Sequence, residues 1–142
     1  MPLSDTARAM SQENVDLVHR AYAAIHRRDL DAYVALHDSA CQISPRIVSI
    51  EGGAPYRGHE GVRAFWTDVQ TSFTDWLPEL GEVRDLGDIV IAEVHFRARG
   101  KDSGVTIDQT IWQAAKARGG RITWWAIYPS EADALKAGGL KE

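Results

Sequence analysis

From residue 89 onward the chain alternates. Val90, Ala92, Val94, Phe96 and Ala98 share one parity; Glu93, His95 and Arg97 share the other, with Ile89 and Ile91 at its start. A period of two over this length predicts a half-buried antiparallel strand over 89–98. Gly100-Lys101-Asp102-Ser103-Gly104 has turn chemistry. A second alternation covers 105–112, with Val105, Ile107 and Ile111 on the apolar side and Gln109 as its polar member. Ala117-Arg118-Gly119-Gly120 predicts the next turn. Residues 121–128 are apolar on both parities, as in a strand inside a sheet or at a subunit contact, and Pro129 stops them.

The first half repeats at three and four instead. Ser11 is suited to cap a helix, and Glu13 falls where the helix dipole favours an acid. Val15, Val18, Tyr22 and Ile25 form the buried stripe, and Arg27 and Arg28 close the helix; residues 1–10 read as a loose tail. Asp29 can cap a short second helix built on Leu30, Tyr33, Val34 and Leu36, ended by Asp38-Ser39. A short strand is expected over 41–44, an edge strand over 46–50 and a glycine-bearing loop over 51–55. Val62, Phe65, Trp66, Val69 and Phe73 mark a third helix with a wide aromatic stripe, broken at Trp76-Leu77-Pro78. A strand over 79–84 and a turn at Leu86-Gly87-Asp88 lead into the main sheet. Ser130 with Asp133 resembles a capping box for a final helix ending at Gly138-Gly139. Helices first and strands later predict an α+β domain over 11–142: a curved antiparallel sheet wrapped around N-terminal helices, cone-shaped, with a central pocket.

Composition narrows the functions. The net charge is -4 and no Lys/Arg run gathers on one element, which argues against a nucleic-acid surface. No apolar run is long enough to span a bilayer, and no apolar core of a signal peptide precedes Ser11, so a cytoplasmic protein is expected. The single cysteine, Cys41, cannot form an internal disulfide or a cysteine-rich zinc site. His19 and His26 lie two turns apart on one helix, too far to share a metal, and no phosphate loop, dinucleotide fingerprint or nucleophile elbow is present. Neither a metal nor a cofactor is expected.

The candidate chemistry is sparse. With a two-residue turn at Lys101-Asp102, His95 and Asp108 face each other across two strands, an arrangement suited to general acid/base work. The pattern instead assigns them to the outer, polar face, because the opposite face carries Val94, Phe96, Ile107 and Ile111. His37, at the end of the second helix, is the other ionisable candidate. Gln109 either orients a ligand carbonyl or hydroxyl or is a core amide bonded to a tyrosine. Tyr22, Tyr33, Phe65, Trp66, Phe73, Phe96 and Trp125 supply either an aromatic pocket or an ordinary core.

The chain resembles the SnoaL-like proteins of the nuclear-transport-factor-2-like, or ketosteroid-isomerase-like, superfamily. The resemblance rests on Asp29-Leu30-Asp31-Ala32, Gly58-His59-Glu60-Gly61-Val62-Arg63-Ala64-Phe65-Trp66, Leu86-Gly87-Asp88-Ile89-Val90 and Ala132-Asp133-Ala134-Leu135-Lys136-Ala137-Gly138-Gly139-Leu140. It implies the cone fold and leaves function open, since that cone hosts isomerases, hydrolases, cyclases, dehydratases and binders. Position by position, the resemblance puts the isomerases' general base at Ser44 and their acidic hydrogen-bond donor at Trp112. It puts the epoxide hydrolases' last-strand aspartate at Ile127. None of these residues can do that chemistry.

Three expectations follow. The first is a domain that binds a small, largely apolar molecule, its pocket lined by Tyr22, Tyr33, Phe65, Trp66, Phe96, Gln109 and Trp125. The second is an isomerase, polyketide cyclase or hydratase acting through His37 or the His95–Asp108 pair. The third is a dimerising partner module with a vestigial pocket. A homodimer is expected through the outer sheet face, where Trp112, one of Trp124 and Trp125, and Ile89 and Ile91 would gather.

Overall fold

The computed structural model describes residues 5–45, 55–87 and 89–137. The expected edge strand at 46–50, most of the following loop, Asp88 and the final Gly138-Gly139 lie outside these residues. Helix α1 spans Asp5–His26. It begins well before Ser11, so that serine is not its cap. Thr6-Ala7-Arg8-Ala9-Met10 holds strong helix formers and neither glycine nor proline, so nothing stops the helix there. At its other end Arg28 takes a left-handed φ of 55°. The Asp29 amide donates to the Ala24 carbonyl (2.9 Å) and the Arg28 amide to that of Ile25 (3.0 Å), a Schellman closure without glycine. Asp29 then caps α2 (Leu30–Ala35), its carboxylate accepting from the Ala32 amide at 3.1 Å.

Strand β1 (His37–Ser44) starts four residues earlier than expected, so His37 is its first residue and not the end of α2. The two-residue strand β2 (Tyr56–Arg57) and α3 (Gly58–Ser72) follow. Next come β3 (Phe73–Asp85), β4 (Val90–Gly100), β5 (Thr106–Arg118), β6 (Arg121–Tyr128) and α4 (Glu131–Ala137). The strands form one sheet in the order β2-β1-β6-β5-β4-β3, antiparallel except for the β1–β6 pair. Strand β6 therefore lies inside the sheet, which explains why both its parities are apolar.

Three sequence expectations change here. Trp76-Leu77-Pro78 does not end a helix; it lies within β3, which begins at Phe73. Proline is tolerated because β3 is at the edge of the sheet. The β4–β5 connection is longer than a two-residue turn, with Arg99 opposite Thr106. His95 therefore faces Thr110, and Asp108 faces Arg97. Strand β5 runs on to Arg118, past the expected end at Trp112.

The main core lies between the concave sheet face and α1, α2 and α3. Val90, Val94, Phe96, Ile111, Ile122 and Trp125 meet Leu17, Tyr22, Val62 and Trp66 there, all buried. A second, smaller core lies on the opposite face. There α4 seats Ala134 against Ile89, Ile91 and Ala114, with Trp112, Trp124, Tyr128 and Leu135 packed around them. Ile89 and Ile91 are 2% and 1% exposed. Of the patch expected to drive a homodimer, Ile89 and Ile91 are thus buried beside the chain's own last helix, while Trp112 and Trp124 stay partly exposed.

Candidate ligand cavity

A cavity remains inside the main core, walled by α1, α2, α3 and the concave face of the sheet. The space reachable by the centre of a water-sized sphere is about 40 Å³. One water needs roughly 10–15 Å³ on that measure. Its walls are mostly aromatic and aliphatic. Rings meet edge to face around it: Phe65 and Trp125 at 5.4 Å, Trp66 and Trp76 at 5.3 Å. Tyr33 lies 5.4 Å from Trp66 in a tilted contact. Such geometry matches the ring quadrupoles and stiffens the wall.

Six of the seven residues expected in the pocket line this space: Tyr22, Tyr33, Phe65, Trp66, Phe96 and Trp125. Gln109 does not; it is exposed, opposite Phe96 near the open end of β5. It shares the parity of the cavity-lining Ile111 but lies closer to the β4–β5 connection. On the same parity Gln113 is buried, lines the cavity, and accepts a hydrogen bond from the Tyr22 hydroxyl at 2.7 Å. Its signal was present in the sequence, since Ile111, Gln113 and Ala115 continue the alternation beyond Trp112. Phe73 is buried against Phe96 in the core and is not part of the lining. Trp76 and Pro78, expected only to break a helix, belong to it. The Arg28 guanidinium stands 4.0 Å from the Trp76 ring and donates to the Trp76 carbonyl, and the Pro78 carbonyl accepts from His26 Nε2 at 2.7 Å. Burial lowers the Arg28 pKa from its ordinary value.

His37 is fully buried in the cavity wall, and its ring is committed on both sides. The indole N–H of Trp125 can only donate, so Nε2 of His37 accepts it at 3.0 Å. Nδ1 therefore carries the proton and donates to the Tyr33 carbonyl at 2.9 Å. Burial pulls its pKa down to about 4; the Tyr33 hydrogen bond partly opposes this and nearby His59 adds to it. Desolvation drives the Tyr22 and Tyr33 phenols above the ordinary tyrosine value. No lysine, arginine or carboxylate lines the cavity among the described residues, so its walls are uncharged at neutral pH.

His95 and Asp108 are joined by a short hydrogen bond, but diagonally, not directly across. Both are exposed on the outer face, where Arg97 also pairs with Glu79. The structure does not bring them together with His37 or the cavity. Among the described residues, no three His, Cys, Asp or Glu side chains gather in a metal-binding group. No described helix is long and apolar enough to cross a membrane.

Residues 18–125 match the sequence pattern of the SnoaL-like domain. The chain belongs to the SnoaL-like family. No curated protein matches the sequence. Among solved structures, this SnoaL-like domain is similar to a nuclear-transport-factor-2-like protein of unknown function from Burkholderia pseudomallei. The two share 21% identity and a TM-score of 0.74, over 87% of this chain and 95% of that one. A Catenulispora acidiphila protein with a ketosteroid-isomerase-like fold, solved in complex with trimethylamine, gives 18% and 0.70, over 88% and 93%. A Sinorhizobium meliloti protein described as a polyketide cyclase gives 19% and 0.65, over 79% and 93%. At these identities the likeness establishes the fold of the cone and nothing about its chemistry.

Proposed function

We propose that this SnoaL-like domain holds a small, largely apolar molecule in its cavity. The observation that supports this reading most strongly is a space left open inside a core that could have closed, ringed by Phe65, Trp66, Trp76, Phe96 and Trp125 and bearing no charge. Protein interiors pack densely, and an apolar void forfeits dispersion contacts, so a void of several waters' size is a cost that an occupant would offset. Acid/base catalysis of the isomerase, cyclase or hydratase kind is less well supported. Both nitrogens of His37 are engaged, and His95 and Asp108 lie on the far side of the sheet.

A cavity that takes one benzene ring measures about 150 Å³, so a single ring asks this wall to yield and a fused system asks it to yield far more. The test is a panel of single-ring alicyclic and aromatic compounds, read by tryptophan fluorescence and melting temperature. Ligand at a hundredfold over Kd stabilises by about 2.7 kcal/mol, roughly 10 °C for a domain of this size. Fluorescence should change in parallel, since three tryptophans line the cavity. Silence across a broad panel contradicts the reading.

A further inference from the structure

We infer that the cavity selects a neutral molecule carrying one hydrogen-bond-accepting oxygen, held by the Tyr33 hydroxyl and the Gln113 amide N–H groups. This rests on the binding reading above and narrows it. Tyr33 is 3% exposed and lines the cavity, yet its hydroxyl has no hydrogen-bond partner among the described residues. It is not sealed in either, because among the described residues no buried side-chain oxygen or nitrogen is both fully covered and unpaired. The oxygen therefore keeps surface open to a water-sized sphere. The same holds for the Gln113 amide nitrogen. The carbonyl oxygen of Gln113 is taken by Tyr22, while its N–H groups have no partner among the described residues.

Buried donors are ordinarily paired, and leaving one unmet is costly. Here the pairing inside the cavity is lopsided. Two acceptors are taken: Gln113 Oε1 by Tyr22, and His37 Nε2 by Trp125. The groups still able to donate come from two different elements, α2 and β5: the Tyr33 hydroxyl, which can also accept, and the Gln113 N–H groups, which can only donate. An occupant that brings an acceptor completes the set, and one that brings only carbon leaves both donors unpaired. A site that hydrogen-bonds an oxygen discriminates against the analogue lacking it. A carboxylate finds no cation to pair with, and an ammonium group finds no carboxylate.

The experiment compares near-isosteric ligands, cyclohexanone against methylenecyclohexane, by calorimetric titration of the intact chain. Cyclohexanecarboxylate and tetramethylammonium serve as charged comparators. The ketone should bind about tenfold tighter than the alkene, and Tyr33→Phe should remove most of that preference. The Tyr33→Phe protein should melt no lower than the parent, because the lost hydroxyl has no partner among the described residues. Equal binding of ketone and alkene overturns the inference while leaving the binding reading intact. Stronger binding of tetramethylammonium overturns it in favour of an aromatic cage for cations. A full ketone preference surviving in Tyr33→Phe, or a clear loss of stability in that variant, also overturns it. If no compound binds, the binding reading falls as well.

Discussion

His37 looks catalytic in the sequence, and in the fold both of its ring nitrogens are engaged. Its lowered pKa has a consequence for stability. An unfolded histidine takes up a proton near pH 6.5, while this one holds off to about 4. Between those values the unfolded chain binds more protons, so acid favours unfolding. The contribution is complete above about pH 6.5 and is lost as the pH falls toward 4, on the order of 3 kcal/mol in all. Urea denaturation at stepped pH should show this loss, and His37→Gln should lack that share of it; equal acid sensitivity in both proteins contradicts the assignment. The Tyr22–Gln113 pair makes a second residue-scale prediction. Gln113→Leu strands the Tyr22 hydroxyl and should cost about 1–3 kcal/mol. Adding Tyr22→Phe should recover part of it, which a double-mutant cycle in urea measures. In the sequence, a tyrosine partner is one of two readings of a glutamine on the apolar parity of β5. The sequence does not show which glutamine, because the strand's length depends on its pairing with β4 and β6, and that pairing is tertiary.

At the scale of elements, alternation located β4 and β6 closely, and the aromatic stripe located α3. The misreadings came where local signals were overridden. Pro78 reads as a breaker, yet an edge strand has one side free of ladder bonds. Asp75, with a φ of 52°, lies where the β3 register shifts between Thr74 and Leu77, a distortion no local pattern announces. The last helix was legible as a helix, but its position on the convex face was not. That position depends on small side chains at two places far apart in sequence, Ala114 and Ala134. Ala134 is fully buried, so Ala134→Leu should overpack the contact and cost about 1–3 kcal/mol. It should also raise the exposure of Trp112 and Trp124, readable by acrylamide quenching. An unchanged melting temperature and unchanged quenching would mean that α4 does not pack as described.

The whole molecule is a cone whose two faces have separate roles. The convex face carries α4 and a polar patch of His95, Arg97 and Asp108; the concave face carries the core and its cavity. His95→Ala and Asp108→Ala should therefore change stability by less than about 1 kcal/mol, as exposed ion pairs do, and should leave ligand response untouched. Ala115 is the small residue of the cavity wall most suited to filling it, since valine fits a strand and adds two carbons. Ala115→Val asks whether the cavity, and no other surface, takes the ligand. The measurement is the ligand-induced rise in melting temperature of the parent and of Ala115→Val, with cyclohexanone as ligand. The parent should gain stability, and the filled variant should melt near the parent without ligand and gain little with it. An equal gain in both proteins, or none in the parent, contradicts a ligand cavity inside the cone.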